Sequence, residues 1–187
     1  MRVVIITGAP GVGKSETARR LTATYRVKAA CLETDDVACI SPWAVDEDLY
    51  RLMGHNVAAC LPNFRRWGAG VTVVAGVLLP GRALPWVEQA IETCGLRLAR
   101  IYALTAEQDE IRRRIGADPK PQQPGHRLAW TWLDEEARAI PRATVLDTTR
   151  MPLSSVTGRL AAMEAAGRRG HGGRPAAGGS GGFAPSG

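Results

Sequence analysis

Four residues near the start of the chain have the types and the spacing that phosphate binding requires. Gly8, Gly13, Lys14 and Ser15 form the pattern G-x-x-x-x-G-K-[ST], in which glycines allow a tight turn and let backbone N–H groups converge on an anion. A lysine at this place can reach the outer phosphates of a nucleotide, and the hydroxyl that follows can ligate Mg²⁺. The pattern predicts that this segment binds a nucleoside triphosphate together with its metal.

The segments on either side of this pattern have the sequences of a strand and a helix. Residues 2–6, RVVII, form a β-branched apolar run typical of a buried parallel strand, and residues 14–25 are predicted to be helical. A helix that begins near Gly13 directs its unpaired N–H groups and the positive end of its dipole at the loop. The residues predicted to bind ATP here are Gly8, Ala9, Pro10, Gly11, Val12, Gly13, Lys14, Ser15 and Glu16.

Strands and helices alternate along the rest of the chain. The further strands are predicted at residues 27–33, 70–77, 96–104 and 143–147. Between them, residues 46–67 are predicted to be helical in two pieces, with Pro62 at a kink or break, and Thr105 is predicted to cap the helix after the fourth strand. This alternation is typical of an α/β fold with a parallel sheet and helices on both faces.

Residues 167–187 differ in composition from the rest of the chain. They are rich in glycine, contain no acidic residue and have almost no large apolar side chain, so they cannot bury enough surface to offset the entropy lost on ordering. We predict one domain over residues 1–166 and a disordered, basic tail over residues 167–187. The tail holds three of the six net positive charges of the 187-residue chain.

The composition also bears on partners and on cellular location. No apolar run approaches the roughly 20 residues of a membrane span, and a strand begins almost at the amino terminus, so we expect a cytoplasmic protein with no membrane partner, either monomeric or homodimeric. The four cysteines form no C-x-x-C pair, so we do not expect them to ligate a metal. Because no stacking module of arginine and aromatic residues is visible, we do not expect nucleic acid as a partner.

Several of these segments resemble the P-loop kinases of small metabolites, a group that includes shikimate, gluconate and adenylate kinases and chloramphenicol phosphotransferase. The resemblance covers about residues 1–166 and depends on the loop Gly8–Ser15, LETDD at residues 32–36, ALTAEQDEIRRRI at 103–115 and VLDTT at 145–149. It implies a three-layer P-loop NTPase fold, with a five-stranded parallel sheet in the order 2-3-1-4-5 and a lid at about residues 112–131. It also implies ATP, Mg²⁺ and a small-molecule acceptor.

Carboxylates follow the second strand, and the carboxyl end of that strand is expected to face the glycine loop. Transfer to a hydroxyl needs a carboxylate close to its proton, and by resemblance Asp35 lies at the last acid of the family's D-x-D corner. Asp35 is therefore the predicted base and acceptor anchor. Glu33 and Asp36 remain alternatives for that role, and Ser15 with Asp36 is the predicted metal site. Alternatively, the three acids cap a helix or solvate a loop.

The resemblance also assigns cations to the lid. Arg114 matches the lid-helix arginine that clamps phosphate or stacks on adenine, and Arg127, after the Pro-rich loop at residues 117–128, is predicted to close over the site. Lys14, Asp35, Arg114 and Arg127 are thus the predicted catalytic residues. Each arginine could instead belong to a solvated helix face.

Two features depart from the family's pattern. Residues 75–77, after the third strand, include no acid, so the metal would depend on Ser15, water and the acids after the second strand. In addition, Asp118 stands where family members often have a second lid arginine.

Three further arginines are candidates for acceptor binding, together with Asp35 and Asp36. Arg65 and Arg66 lie between the second and third strands, flanked by Phe64 and Trp67, and this group could hold a ring and an anion. The alternative places the two aromatic residues in the core and the two arginines in water. Arg82 follows the third strand and is expected at the edge of the sheet where ligands bind.

These patterns predict an ATP-dependent kinase. Its acceptor would be a hydroxyl or phosphate of a nucleoside or nucleotide, a sugar acid or an antibiotic-like natural product. Two other functions remain open, namely a nucleotide-binding regulatory NTPase and a polynucleotide 5′-hydroxyl kinase that uses the basic tail.

Overall fold

The computed structural model describes residues 1–42, 44–118 and 130–169. Its strands are β1 (Arg2–Thr7), β2 (Ala29–Glu33), β3 (Val71–Ala75), β4 (Arg97–Thr105) and β5 (Ala143–Asp147). The helices are α1 (Lys14–Ala23), α2 (Thr34–Val37), α3 (Glu47–Trp67), α4 (Leu84–Thr93), α5 (Gln108–Ala117), α6 (Leu133–Arg138) and α7 (Leu153–Arg169).

The five strands form one parallel sheet in the order β2-β3-β1-β4-β5, which confirms the predicted order. The central strand is β1, in which Ile5 lies opposite Val74 of β3 and Ile101 of β4. Residues 3–6 of β1 are completely buried. A strand whose consecutive side chains are all buried must be covered on both faces, and α1 packs against α7 while α3 packs against α4. The sequence therefore predicted the fold class correctly.

The helix before β3 is one element, in place of the two pieces expected around Pro62. It runs from Glu47 to Trp67 with Pro62 inside it. Proline has no N–H, so the carbonyl of Ala58 one turn earlier loses its helical donor. The Cys94 thiol, from the end of α4, donates to that carbonyl oxygen at a distance of 3.5 Å. This contact from a neighbouring helix satisfies the group that the proline leaves unpaired.

The start of α5 also differs from the prediction. Thr105 is the last residue of β4 and caps no helix, and α5 begins three residues later with Glu107 in the N-cap position. The N–H of Ala106 donates to Asp134 Oδ1 at 3.1 Å, and the N–H of Glu107 donates to Thr149 Oγ1 at 2.8 Å. Because these partners come from α6 and from the segment after β5, tertiary contacts set the point at which α5 begins.

A buried carboxylate fastens α7 to the sheet. Glu164 is 2% exposed and accepts hydrogen bonds from the hydroxyls of Tyr25 (3.0 Å) and Tyr102 (2.9 Å). It also pairs with Arg2 at 2.6 Å and with Arg100 at 3.6 Å. Burial and this carboxylate together raise the pKa of the Tyr102 hydroxyl well above its ordinary value. The cluster joins the last helix to β1, to β4 and to the end of α1.

Parts of the predicted lid and tail lie outside the described residues. These parts include residues 119–129, and with them Arg127, and residues 170–187. Helix α7 continues to Arg169, so the first three residues assigned to the tail are helical. Within the described part of the chain, no helix is both long enough and apolar enough to cross a membrane.

Candidate active site

Left-handed glycines shape the loop between β1 and α1. Gly8, Gly11 and Gly13 have φ angles of 143°, 84° and 93°, which L-residues with a Cβ rarely adopt. A Cβ on Gly8 would lie 2.1 Å from the carbonyl oxygen of Leu104, and one on Gly11 would lie 2.8 Å from Ile115 Cγ1. The loop thus packs so closely on β4 and α5 that only glycine fits at these two positions.

The lysine and a threonine of α1 complete a site suited to an anion. Gly13 is the N-cap of α1, so the free N–H groups of the first turn are directed into the loop. Lys14 is 8% exposed, and its Nζ donates to the carbonyl oxygen of Ala9 at 2.8 Å. Thr17 Oγ1 is fully buried and has no hydrogen-bond partner among the described residues. A bound phosphate chain would satisfy such donors.

A cleft of about 1200 Å³ opens from this loop along the carboxyl ends of the strands. Its walls come from the loop, the end of β2, the start of α3, the segment after β3, α5 and the segment after β5. The predicted site residues that line it are Pro10, Gly11, Val12, Gly13, Lys14, Ser15, Glu16, Asp35, Arg82 and Arg114. Gly8 and Ala9, at the start of the loop, are buried and do not line the cleft.

The structure distinguishes among the three acids after β2. Glu33 also lines the cleft, but it pairs with Arg19 of α1 at 2.5 Å and only 9% of its side chain is exposed. Asp35, in the first turn of α2, is exposed and lines the cleft, whereas Asp36 is exposed but is not among the lining residues. Asp35 is therefore the acid in the best position to meet a ligand, and we leave Asp36 out of the site.

A close contact between two strand ends places Asp35. A Cβ on Gly76, just after β3, would lie 2.0 Å from Thr34 Oγ1, so only glycine allows α2 to begin at this point. Thr34 is fully buried, which fixes the backbone immediately before Asp35. Asp35 thus follows directly on a buried residue, Thr34, at the carboxyl end of β2.

Arg114 joins α5 to the segment after β5. Its guanidinium donates to Glu110 Oε1 (2.7 Å), to Thr148 Oγ1 (3.0 Å) and to the carbonyl oxygen of Thr148 (2.7 Å). Hydrogen bonds from Arg113 and Arg114 lower the pKa of the Glu110 carboxyl to about 2. The guanidinium is therefore held in one position on the wall of the cleft that β5 contributes.

The three consecutive lid arginines point in different directions. Arg113 also lines the cleft, although 68% of its side chain is exposed and both of its hydrogen bonds go to Glu110. Arg112 turns to Asp109 at 3.2 Å and does not line the cleft. The structure thus brings Arg114, as predicted, and Arg113 to the candidate site.

Arg82 lies in the cleft within a cage of aromatic and acidic side chains. Its NH1 donates to the Tyr50 hydroxyl at 3.1 Å, and its Nε lies 3.5 Å from Glu136 Oε2. The guanidinium carbon is 5.6 Å and 5.2 Å from the ring centroids of Trp130 and Trp132. The protein thus contacts NH1 and the face of the guanidinium, whereas the buried Nε has no hydrogen-bond partner among the described residues.

The structure does not bring Arg65 and Arg66 to the cleft. Both are exposed in the last turn of α3, which leads into the amino end of β3, whereas the cleft lies at the carboxyl ends of the strands. Phe64 packs against the core, but Trp67 is 55% exposed beneath the ammonium group of Lys28. We therefore leave the two arginines out of the acceptor site, and the sequence prediction for them is corrected on this point.

Sequence reasoning missed several residues of the site. Thr17, Glu110, Thr148 and Trp130 line the cleft, but none of them is among the site residues predicted from the sequence. In the structure α6 begins at Leu133, and Trp130 lies in the turn before it, on the cleft. The position of Thr17 could have been inferred from the sequence, because it lies one helical turn after Gly13 at the start of α1.

The donors available for a metal are few. No group of three or more His, Cys, Asp or Glu side chains that could hold an ion occurs within residues 1–42, 44–118 and 130–169. Ser15 and Asp35 both line the cleft. Mg²⁺ characteristically keeps several waters and takes one or two protein ligands together with substrate phosphates, so a hydroxyl and a carboxylate in one cleft are donors of the type that this ion takes.

Solved structures share this fold. A gluconokinase from Sinorhizobium meliloti 1021 matches with a TM-score of 0.62 and 15% identity, over 88% of this chain and 95% of its own. A tunicamycin resistance protein from Deinococcus radiodurans matches with a TM-score of 0.60 and 20% identity, over 87% and 95%. A sugar kinase from Janibacter sp. HTCC2649 matches with a TM-score of 0.61 and 16% identity, over 86% and 92%.

No family model and no curated protein matches the chain. At these identities the likeness to solved structures establishes the fold, and it agrees with the P-loop kinase architecture that the sequence predicted.

Proposed function

We propose that this protein is an ATP-dependent phosphotransferase that phosphorylates a hydroxyl group of a small molecule. The observation that carries the proposal is that a phosphate-binding loop and an exposed carboxylate, Asp35, face one cleft. The solved proteins with this fold that are named as a gluconokinase and a sugar kinase support the same assignment.

The loop and two cations bind ATP in this proposal. Backbone N–H groups from Gly11 to Ser15 surround the β- and γ-phosphates, and Lys14 exchanges its contact with the Ala9 carbonyl for phosphate oxygens. Arg114, fixed on Thr148, borders the adenine. Arg114 is far from the loop in sequence, but α5 packs closely on Gly11 and so brings this helix next to the loop.

Asp35 binds the acceptor and receives its proton. The acceptor oxygen forms a bond to the γ-phosphorus as the bond from that phosphorus to the β,γ-bridging oxygen breaks, and ADP leaves with that electron pair. The proton of the hydroxyl passes to the carboxylate of Asp35. Glu33 does not compete for this role because Arg19 already holds it.

Ser15 is the residue proposed to hold Mg²⁺, and Asp35 is the carboxylate of the same cleft that would assist it. When bound, the ion supplies charge neutralisation between the β- and γ-phosphates. Lys14 and Arg113 add positive charge from the protein on the same side of the cleft.

Substitution of the proposed base tests this function. Asp35→Asn keeps the shape but removes the proton acceptor, so we expect kcat for acceptor-dependent ADP release to fall by about 100-fold to 10,000-fold, while the KM for ATP stays unchanged. Asp36→Asn is the matched control, since this neighbour is equally exposed but does not line the cleft. We expect its kcat to stay within about threefold of the parent.

Equal rates in the two variants would remove Asp35 from the mechanism. ADP release that no acceptor accelerates would favour a nucleotide-hydrolysing regulator. Activity on polynucleotide ends that is lost when the chain is cut after Arg169 would favour the polynucleotide kinase.

A further inference from the structure

One half of the cleft has an apolar surface. Beside Asp35, the wall is built from Val45, Leu49 and Met53 at the start of α3, Val77 after β3, and Trp130 and Leu133 around the start of α6. We call these six residues the acceptor wall. Val45, Leu49, Met53 and Val77 come from the segments that follow β2 and β3, and Trp130 lies against Arg82, which follows β3. Thr148, Met151 and Val156 come from the segments that follow β5.

The acceptor wall is firmly supported. Leu49, Met53 and Leu133 are 3%, 7% and 2% exposed, so each anchors in the core while reaching the cleft. Val45, at 36% exposure, lies further out. The surface is thus preformed and needs no rearrangement to receive an apolar group.

Arg82 lines this part of the cleft and already contacts protein groups, although its Nε is buried without a hydrogen-bond partner among the described residues. Arg82 pairs with Glu136, donates to Tyr50 and lies against the rings of Trp130 and Trp132. An anionic ligand would have to displace Glu136 to use this guanidinium, and a buried anion without such a partner is costly. Arg82 thus fixes the positions of the Trp130 and Trp132 rings through cation–π contacts.

We propose that the acceptor is an uncharged, largely apolar alcohol whose ring or chain packs on the acceptor wall while its hydroxyl meets Asp35. This inference depends on the function proposed above and specifies its substrate. Sugar acids and nucleotides bring a carboxylate or a phosphate to the acceptor wall, whose six side chains carry no charge, so that the anion would lose its hydration there without an ionic partner from those residues. They are therefore expected to be poor acceptors.

The test compares hydroxylated acceptors that differ in charge. The full-length enzyme with ATP and Mg²⁺ is given a panel of neutral aryl and alicyclic alcohols, including cinnamyl alcohol, and a charged panel containing gluconate, adenosine monophosphate and carboxylated cinnamyl alcohol. Acceptor-dependent ADP release is measured for each. We expect the best neutral alcohols to exceed the best charged acceptors in kcat/KM by at least about 10-fold.

A pair of variants links the preference to the acceptor wall. Val77→Thr keeps the shape of the side chain but places a hydroxyl on this surface, so the KM for the neutral alcohol should rise about 3-fold to 10-fold with the KM for ATP unchanged. Val27→Thr is the control, because Val27 is 50% exposed and lies outside the cleft. It should alter neither constant.

The outcomes separate the two proposals. A clear preference for charged acceptors, or equal effects of the two valine variants, would overturn the apolar acceptor while leaving the phosphotransferase intact. If no acceptor of either panel stimulated ADP release, the proposed function would be contradicted and this inference with it.

Discussion

At the scale of single residues, the chemistry depends on two side chains that reach one cleft from neighbouring elements. Lys14 comes from the first turn of α1, and Asp35 comes from the first turn of α2. Each is fixed by backbone rather than by a long side-chain network, through Gly11 and Gly13 for Lys14 and through Gly76 for Asp35. Rigid placement of this kind favours phosphoryl transfer, which asks for positioning and charge neutralisation.

The lid arginines give a prediction at the same scale. Arg114→Lys removes a planar group that donates to Glu110 and to both Thr148 acceptors, and lysine cannot reproduce this geometry. We expect the KM for ATP to rise about 10-fold, since a lysine held less firmly on Thr148 would give up a contact with the nucleotide proposed to lie beside it. Steady-state kinetics at saturating acceptor measures this effect.

Arg112→Lys provides the comparison for this substitution. Arg112 is on the same helix, but its side chain is 57% exposed and contacts Asp109, away from the cleft. The KM for ATP should not change. The assignment of Arg114 fails if the two variants have the same KM.

Local patterns explain which site residues could be predicted. The phosphate loop is a contiguous pattern whose geometry depends on glycines within it, so its residues could be identified from the sequence. Arg114 needed a partner, Thr148, that is 34 residues away, and the sequence does not show that pairing. Arg82 was found at the correct edge, but its cage of Tyr50, Trp130 and Glu136 comes from three distant segments.

At the scale of elements, all five predicted strands are present, and the errors occur where a neighbouring element decides the outcome. Pro62 lies inside α3, and the thiol of Cys94, just after α4, donates to the carbonyl oxygen of Ala58 that the proline leaves without a helical donor. Thr105 remains in β4 because α6 and the segment after β5 bind the two N–H groups that follow it. Local propensity predicts a break or a cap at such positions, and tertiary hydrogen bonds override it.

The attachment of α7 gives a prediction at this scale. Glu164→Gln removes the charge that Arg2 and Arg100 pair with in a buried setting, and loss of one partner of a buried pair costs about 3–5 kcal/mol. Glu92→Gln, on the exposed face of α4, should change the free energy of unfolding by less than about 0.5 kcal/mol. Urea unfolding of both variants measures the difference, and equal stabilities would show that the Glu164 cluster does not hold α7.

At the scale of the whole molecule, the direction of the strands decides which predicted residues can meet. Asp35 and Arg82 follow the carboxyl ends of β2 and β3, so the sheet brings them to the phosphate loop. Arg65 and Arg66 precede β3 and therefore lie at the other end of the sheet. The alternation of strands and helices predicted a parallel sheet, and the resemblance implied its strand order. The apolar character of the acceptor wall emerges only when six separate residues meet.

The measurement that tests the account most directly follows the γ-phosphoryl group of isotopically labelled ATP. With the parent protein, Mg²⁺ and both acceptor panels, the label should appear as a phosphate ester on the oxygen of an acceptor, and Lys14→Ala should abolish that transfer. If the label appeared only in inorganic phosphate, or if Lys14→Ala transferred it as fast as the parent protein, the account would be contradicted.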